Sequence, residues 1–271
     1  MNVRIFSGEC EIAGIDPGNR GLAYGDGVFE TLRVHRGSVP WWAQHWARLR
    51  LGAERLGIPL PNETRVRQEA ESLFADGGDG VLKLLLTRGA GERGYAMPTN
   101  PLPTWILSRH AVPQPRAAGL RLHVCAIRLA PQPALAGIKH CNRVEQVLAR
   151  NEAERAGADE GLVLDAGGQV VGATAANLFA FIDGRWVTPS IVSCGMAGVC
   201  RARLLPAIDA VERVLAPIEV ESADAVFLCN AVRGILTVAH FGAHVWAPHP
   251  AVAATREILS RLHPSFVMEP A

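Results

Sequence analysis

The chain has 271 residues, with 27 Lys+Arg against 26 Asp+Glu and a net charge of +1. That balance excludes an electrostatic nucleic-acid binder, which needs a basic excess to displace counterions from phosphates. A hydrophobic share of 49% with 20% charged residues excludes a disordered tail protein, and the length fits one large or two small domains with a sizeable core.

Residues 3–6 are a short apolar run. Residues 29–34 alternate and read as a half-buried strand. Trp46, Leu49, Ala53 and Leu56 recur at three- and four-residue steps, which predicts a helix over 42–56. Val66, Ala70 and Leu73 predict another over 63–74. Strands are expected at 81–87 and 104–108. Residues 110–119 are rich in Pro and Gly and lack periodicity. They divide the chain into a small N-terminal lobe (1–112), a linker (113–119) and a larger lobe (120–271). In the larger lobe, strands are expected at 120–129, 161–164, 178–182, 185–187, 225–229 and 235–238. An Asp-Gly turn at 183–184 joins two of them. Helices are expected at 142–156, 199–210 and 252–262. Many short strands mixed with helices argue for an α/β or α+β fold.

The six cysteines (Cys10, Cys125, Cys141, Cys194, Cys200, Cys229) are scattered. None forms C-x-x-C or a zinc spacing, so reduced, mostly buried thiols and a cytoplasmic setting are expected. The N-terminal sequence has no apolar signal-peptide core. The most apolar stretch, 223–241, is interrupted by Asp224, Asn230 and Arg233, so no membrane association is expected.

Gly89, Gly91 and Gly94 fit G-x-G-x-x-G after a strand. The following Pro98 and Pro101 forbid the helix that a dinucleotide site needs. Arg88 and Arg93 in this loop suit a carboxylate, because guanidinium presents a planar donor fork; a solvated hairpin tip reads the same way. Lysine is scarce: only Lys83 and Lys139 occur among the 27 basic residues. Lys83 lies in a strand between two leucines and is expected to face solvent. Lys139, in AGIKHCNR, has small and apolar neighbours, where a lysine can lose solvation and become a nucleophile. A surface lysine near a helix start has the same local pattern. No metal-ligand motif, P-loop or G-x-S-x-G is present.

Several strings together resemble the fold-type IV pyridoxal-phosphate enzymes, the group that holds the branched-chain and D-amino-acid aminotransferases. They are YGDGVFETLR (24–33), HWARL (45–49), TRGAGERGY (87–95), AGIKHCNR (136–143), TAANLF (174–179), GVCR (198–201) and FLCNA (227–231). Within that group, TRGAGERGY and AGIKHCNRVEQVL resemble the aminodeoxychorismate lyases. The resemblance implies a two-lobed fold, with a small α/β lobe and a larger lobe carrying a mixed, barrel-like sheet. It implies pyridoxal 5'-phosphate as cofactor, held between the lobes, and a homodimer acting on a small-molecule substrate. The activity it implies is conversion of 4-amino-4-deoxychorismate to 4-aminobenzoate and pyruvate in folate biosynthesis.

Residue by residue, Lys139 resembles the Schiff-base lysine and proton carrier, and Arg48 the cofactor-phosphate arginine. The amides of Val199 and Cys200 match the helix N-terminus that cradles phosphate, and Asn230 and Ala231 a second phosphate-contacting turn. Asn177 belongs to the cofactor set. Tyr24, Thr31, Arg88, Arg93 and Arg143 fall near the substrate. One departure stands out. The group usually carries a glutamate for the pyridine nitrogen five residues before the Asn of ANLF, and here that position is Gly172. Three readings follow: the Thr174 hydroxyl or a water replaces it, the protein is a non-catalytic relative, or the cofactor binds differently or is dispensed with. A D-amino-acid or branched-chain aminotransferase of the same fold is the alternative activity.

Overall fold

The chain folds as two units, each built on its own sheet. Unit one is Met1–Val112 with Ile138–Asn142, and unit two is Pro113–Gly137 with Arg143–Ala271. The structure, a computed structural model, describes residues 2–114 and 119–267. Of the expected linker 113–119, residues 115–118 lie outside the described residues.

Unit one runs β1 (Val3–Ser7), β2 (Cys10–Glu11), α1 (Arg20–Tyr24), β3 (Gly27–Val34), α2 (Trp42–Leu56), α3 (Glu63–Ser72), β4 (Gly80–Thr87) and β5 (Thr104–His110). Its strands pair antiparallel in the order β2-β1-β5-β4-β3. Successive side chains of a strand point to opposite faces. Val28, Leu32 and Val34 of β3 and Leu82, Leu84 and Leu86 of β4 therefore share one buried face, packed with Leu49 and Ala53 of α2 and Val66 of α3. Full burial of each large apolar side chain contributes about 1.5–3 kcal/mol. The other face carries Phe29, Thr31 and Lys83, none of them buried.

Helix α2 covers the expected span, and Gly57 closes it in the left-handed region (φ +64°). The five-residue α1 was not expected; it is too short for a periodic signal and is started by Asn19, whose side chain accepts from the Gly21 amide. Residues 138–142 also read differently in three dimensions. They lead into the expected helix, which begins at Val144, and they also lie against the β3 edge, through an isolated bridge between Val28 and His140.

Unit two runs β6 (Leu120–Leu129), α4 (Val144–Arg155), β7 (Glu160–Asp165), β8 (Val170–Ala173), β9 (Asn177–Ile182), β10 (Arg185–Pro189), α5 (Val199–Ala207), β11 (Val211–Arg213), α6 (Pro217–Glu221), β12 (Ala225–Asn230), β13 (Gly234–Phe241), β14 (His244–Val245) and α7 (Pro250–Leu262). The strand order is β11-β10-β9-β12-β13-β6-β7-β8, with β14 beside β13. Three pairs are parallel (β10–β11, β13–β6, β6–β7) and the others antiparallel, so the sheet is mixed. It curls until its last strand, β8, packs beside β9 and β10. Asp183 and Gly184 both take positive φ (+51° and +76°), as a two-residue hairpin turn with right-handed twist requires. The apolar stretch 223–241 becomes β12 and β13. Among the described residues no helix is long and apolar enough to cross a membrane, and no three His, Cys, Asp or Glu side chains group as a metal site.

Candidate active site

Unit one places Lys139 on the open edge of its sheet. The Phe29 amide donates to the Lys139 carbonyl (2.9 Å), and the Cys141 amide donates to the Gly27 carbonyl (2.9 Å). These bonds fix the backbone from the lysine's own carbonyl to Cys141. The Lys139 ammonium lies 4.3 Å from the centroid of the Phe29 ring, and its side chain is half-buried. Asn142 Nδ2 donates to the Gly25 carbonyl (3.1 Å), which ties the same segment to the end of α1.

Behind β3 lies a buried charge cluster that sequence reasoning found only in part. His45 and Arg48 are three residues apart on α2, hence on one side of the helix. Both meet Glu30, which shares the buried face of β3 with Val28 and Leu32 and is 1% exposed. Arg48 donates to Glu30 through Nε (2.7 Å) and through a second guanidinium nitrogen. His45 Nδ1 stands 2.6 Å from the same carboxylate. Burial pushes the Glu30 carboxyl up, but the Arg48 charge and the hydrogen bonds outweigh it and hold it at about 2. Burial pushes the His45 imidazole down, more than Glu30 pulls it up. His45 is therefore neutral near pH 7 and donates its Nδ1 proton to Glu30, an acceptor-only group. The sequence signal was a glutamate in register with Leu32 and Val34: a carboxylate at a core position demands a cation.

Arg88 is the main correction. It was expected to face a substrate carboxylate, yet it is 2% exposed. Its guanidinium donates twice to Asp26 (2.7 and 3.0 Å) and once each to the Leu56 and Gly57 carbonyls (2.7 Å each). Those last carbonyls of α2 lack intrahelical partners, so Arg88 caps the helix. Partial burial works against the Asp26 carboxylate, but Arg88 and Arg20 hold it below its ordinary value. Arg20, which the sequence reading passed over, is 4% exposed. It donates to the carbonyls of Gly94, Tyr95 and Ala96 and so shapes the 89–98 loop. The Tyr24 hydroxyl accepts from the Gly94 amide (3.0 Å). A Cβ at Gly89, where φ is +92°, would sit 1.9 Å from the Leu102 carbonyl oxygen, so only glycine turns there. Arg93 is exposed on this loop, and Thr31 is half-buried on the face of β3 that carries Phe29.

Unit two gathers the remaining residues. Gly198 is the N-cap of α5 and has no side chain to cap the amides behind it. A Cβ there would lie 2.0 Å from Asn177 Oδ1. Asn177 Nδ2 donates to the Met196 carbonyl (2.9 Å), which binds strand β9 to the approach of α5. Val199 and Cys200 thus open a nine-residue helix whose first amides and dipole favour an anion. The Cys200 thiol is pushed up by its hydrogen bond with Cys229 and by burial, so it packs rather than reacts. Asn230 Oδ1 accepts from the amides of Val232 (3.0 Å) and Arg233 (2.8 Å), which sets the turn that holds Ala231. Its Nδ2 donates to the Ala175 carbonyl (3.2 Å). The 173–177 loop is thereby tied to both turns.

Gly172 brings no carboxylate to this loop. Asp165, the nearest upstream on that side, is taken by the amides of Gly167 and Gln169 (2.9 Å each). The Thr174 hydroxyl donates to the buried Glu160 carboxylate. Arg143 precedes α4 and is half-buried.

The chain is an enzyme of the aminotransferase–lyase class: it belongs to the amino-transferase class IV family, whose model matches residues 27–241. It is 32% identical over 237 residues to an aminodeoxychorismate lyase of Vibrio harveyi, covering 83% of this chain and 87% of that one. The solved structure of 4-amino-4-deoxychorismate lyase from Pseudomonas aeruginosa is 42% identical, with a TM-score of 0.86 over 95% of this chain and 97% of that one. A D-alanine aminotransferase of Listeria monocytogenes serotype 4b is 27% identical over 273 residues, 96% of this chain and 92% of that one. The fold is that of the fold-type IV aminotransferases and lyases.

Proposed function

We propose that this protein is an aminodeoxychorismate lyase that uses pyridoxal 5'-phosphate to convert 4-amino-4-deoxychorismate to 4-aminobenzoate and pyruvate. The placement of Lys139 carries the reading: one of two lysines in the chain, held at a sheet edge by backbone bonds at its own carbonyl and at Cys141. The likeness to two lyases supports it. The residues fit the cofactor, because a Cβ at Gly198 would fill the cradle and the α5 amides have no capping side chain. Val199, Cys200, Asn230 and Ala231 would hold its phosphate, with Arg48 as counter-charge and Asn177 bracing the cradle. When bound, the cofactor supplies an electron sink for the carbon next to the substrate nitrogen.

The other steps belong to the chain. The Lys139 amine removes the proton from the ring carbon that bears nitrogen. The neighbouring carbon–oxygen bond breaks, and the ring becomes aromatic. Lys139 then returns a proton to the methylene carbon of the departing enolpyruvate, giving pyruvate. Thr174, whose proton is committed to Glu160, would offer the cofactor's ring nitrogen an acceptor only, and so would favour its protonated form. Tyr24, Thr31, Arg93 and Arg143 complete the substrate set. The protein acts in the cytoplasm as a homodimer in this reading; Val144, Val147 and Leu148 leave an exposed apolar stripe on α4 that suits self-association.

The test is to incubate the protein with 4-amino-4-deoxychorismate, with and without pyridoxal 5'-phosphate, and quantify both products. Equal 4-aminobenzoate and pyruvate, dependent on the cofactor, are expected. Amino-group transfer from D-alanine to a keto acid without that elimination would replace the lyase with the aminotransferase reading. Gly198→Ala is expected to weaken retention of pyridoxal 5'-phosphate about tenfold, the order that a misaligned helix N-terminus costs an anion. Equilibrium dialysis reads this, and unchanged retention would move the phosphate elsewhere.

A further inference from the structure

We propose that Glu160 is a positioning residue that acts through the Thr174 hydroxyl, supplying the cofactor's ring nitrogen with the negative charge that Gly172 does not bring; the proposal rests on the cofactor binding of the reading above. Strand β7 carries a carboxylate at each end. Asp165 closes the strand and is spent on its own turn, where it accepts from the Gly167 and Gln169 amides. Glu160 opens the strand and is 7% exposed. The β7–β8 ladder pairs Leu162 with Ala173. Its next step runs into the loop, where the Thr174 amide donates to the Gly161 carbonyl (3.1 Å). Gly161 permits this approach, because a Cβ there would stand 3.0 Å from Thr174 Cγ2 and 2.5 Å from Cys125 Sγ. Thr174 is thus held against β7 with its hydroxyl on Glu160 Oε1. The same oxygen accepts from the Gly161 amide (2.9 Å).

The chemistry gives this chain of bonds a direction. A carboxylate only accepts, so the Thr174 hydroxyl donates to it and keeps its lone pairs for another donor. A protonated ring nitrogen is such a donor, and a neutral one is not. Hydrogen bonds in series polarise one another, so the Glu160 charge is felt beyond the hydroxyl. Thr174 lies on the segment that Asn230 ties at the Ala175 carbonyl and that ends at Asn177, the brace of the phosphate cradle. The groups around Glu160 leave its charge in place. Arg150 of α4 stands 3.6 Å from its other oxygen, Oε2. Glu152 of α4 is taken by His123 and the Ala126 amide. Burial, with Glu152 and Glu160, pushes the Cys125 thiol of β6 up to about 11, so it stays neutral. One hydroxyl between charge and nitrogen weakens the pull, so this nitrogen gives up its proton at a lower pH than one in direct contact with a carboxylate. An elimination that ends in an aromatic ring needs less from that electron sink than amino-group transfer does.

The experiment loads wild type, Glu160→Gln, Thr174→Val and Thr174→Ser with pyridoxal 5'-phosphate carrying ¹⁵N in its ring. The nitrogen signal, followed against pH, separates the protonated ring from the neutral one without turnover. Wild type is expected to show the protonated signal at pH 7. Glu160→Gln keeps an oxygen for the Gly161 amide but loses the charge. It is expected to lower the pH at which the nitrogen deprotonates by about 1 unit, the low end of what one opposite charge does. Thr174→Val, which keeps the shape and Glu160 but removes the link, should match it, and Thr174→Ser should restore the wild-type titration. Should Glu160→Gln fail to fold, the Thr174 pair decides. A residue that only holds the loop would loosen cofactor retention and leave the titration of the bound nitrogen unmoved; that result overturns the proposal, as does a neutral ring in wild type at pH 7 or a wild type that binds no cofactor. The expected titrations in a protein that releases no 4-aminobenzoate keep the assignment of Glu160 and remove the lyase reading.

Discussion

Lys139→Ala is expected to lower product formation about 10⁴-fold, the upper range for loss of a positioned acid–base group, and to abolish the visible absorbance of a lysine-linked pyridoxal cofactor. Arginine cannot stand in, because it stays protonated and forms no Schiff base. The variant should fold. The side chain is half-buried rather than core, and the segment is held by backbone bonds to Gly27 and Phe29 that alanine leaves intact. With only Lys83 remaining as a side-chain amine, the spectrum has a simple interpretation. Absorbance that survives in Lys139→Ala and disappears in the double variant would transfer the linkage to Lys83 and sink the assignment of Lys139.

The second large effect falls on stability. Glu30→Gln preserves shape but takes the buried carboxylate away from the half-buried Arg48 guanidinium. Breaking a buried pair from one side costs about 3–5 kcal/mol, and urea unfolding should show a loss of that order. The pH dependence follows from the same group. The folded-state pKa of Glu30 lies below its ordinary 4.5, at about 2. The carboxylate thus contributes its stability above pH 4.5 and loses it as pH falls toward 2, because the unfolded chain takes up the proton first. The stability difference between wild type and Glu30→Gln should narrow across that interval. A difference independent of pH, or one that widens on acidification, would contradict the pairing.

The legibility of the fold followed the length of each pattern. Trp46, Leu49 and Ala53 announced α2, because a fifteen-residue helix repeats its stripe several times. The five residues of α1 and the two of β14 repeat nothing. The site was legible where residue type alone constrains chemistry, as for the lone lysine of AGIKHCNR. It was illegible where a partner lies far away in sequence. Arg88 looked like a carboxylate ligand because Asp26 is 62 positions upstream, and the two α2 carbonyls it caps are 31 and 32 positions upstream. Lys83, read as facing solvent, is exposed, because the alternation of β4 fixes which side chains leave the core. Glu30 and His45 carried a usable signal, a charged and a titratable residue on apolar stripes, which pattern counting alone does not weigh.

The excursion of residues 138–142 into unit one also orders events during synthesis. The β3 edge of that unit, where Gly27 and Phe29 exchange backbone bonds with Lys139 and Cys141, has no partner until those residues leave the ribosome. Domains generally fold N-terminal first as they are made. Here the N-terminal unit waits with an unpaired strand edge, the kind of surface that recruits foreign strands. A fragment ending at Val112 would carry that exposed edge permanently, so excising the unit at its apparent boundary yields a stickier object than the unit itself.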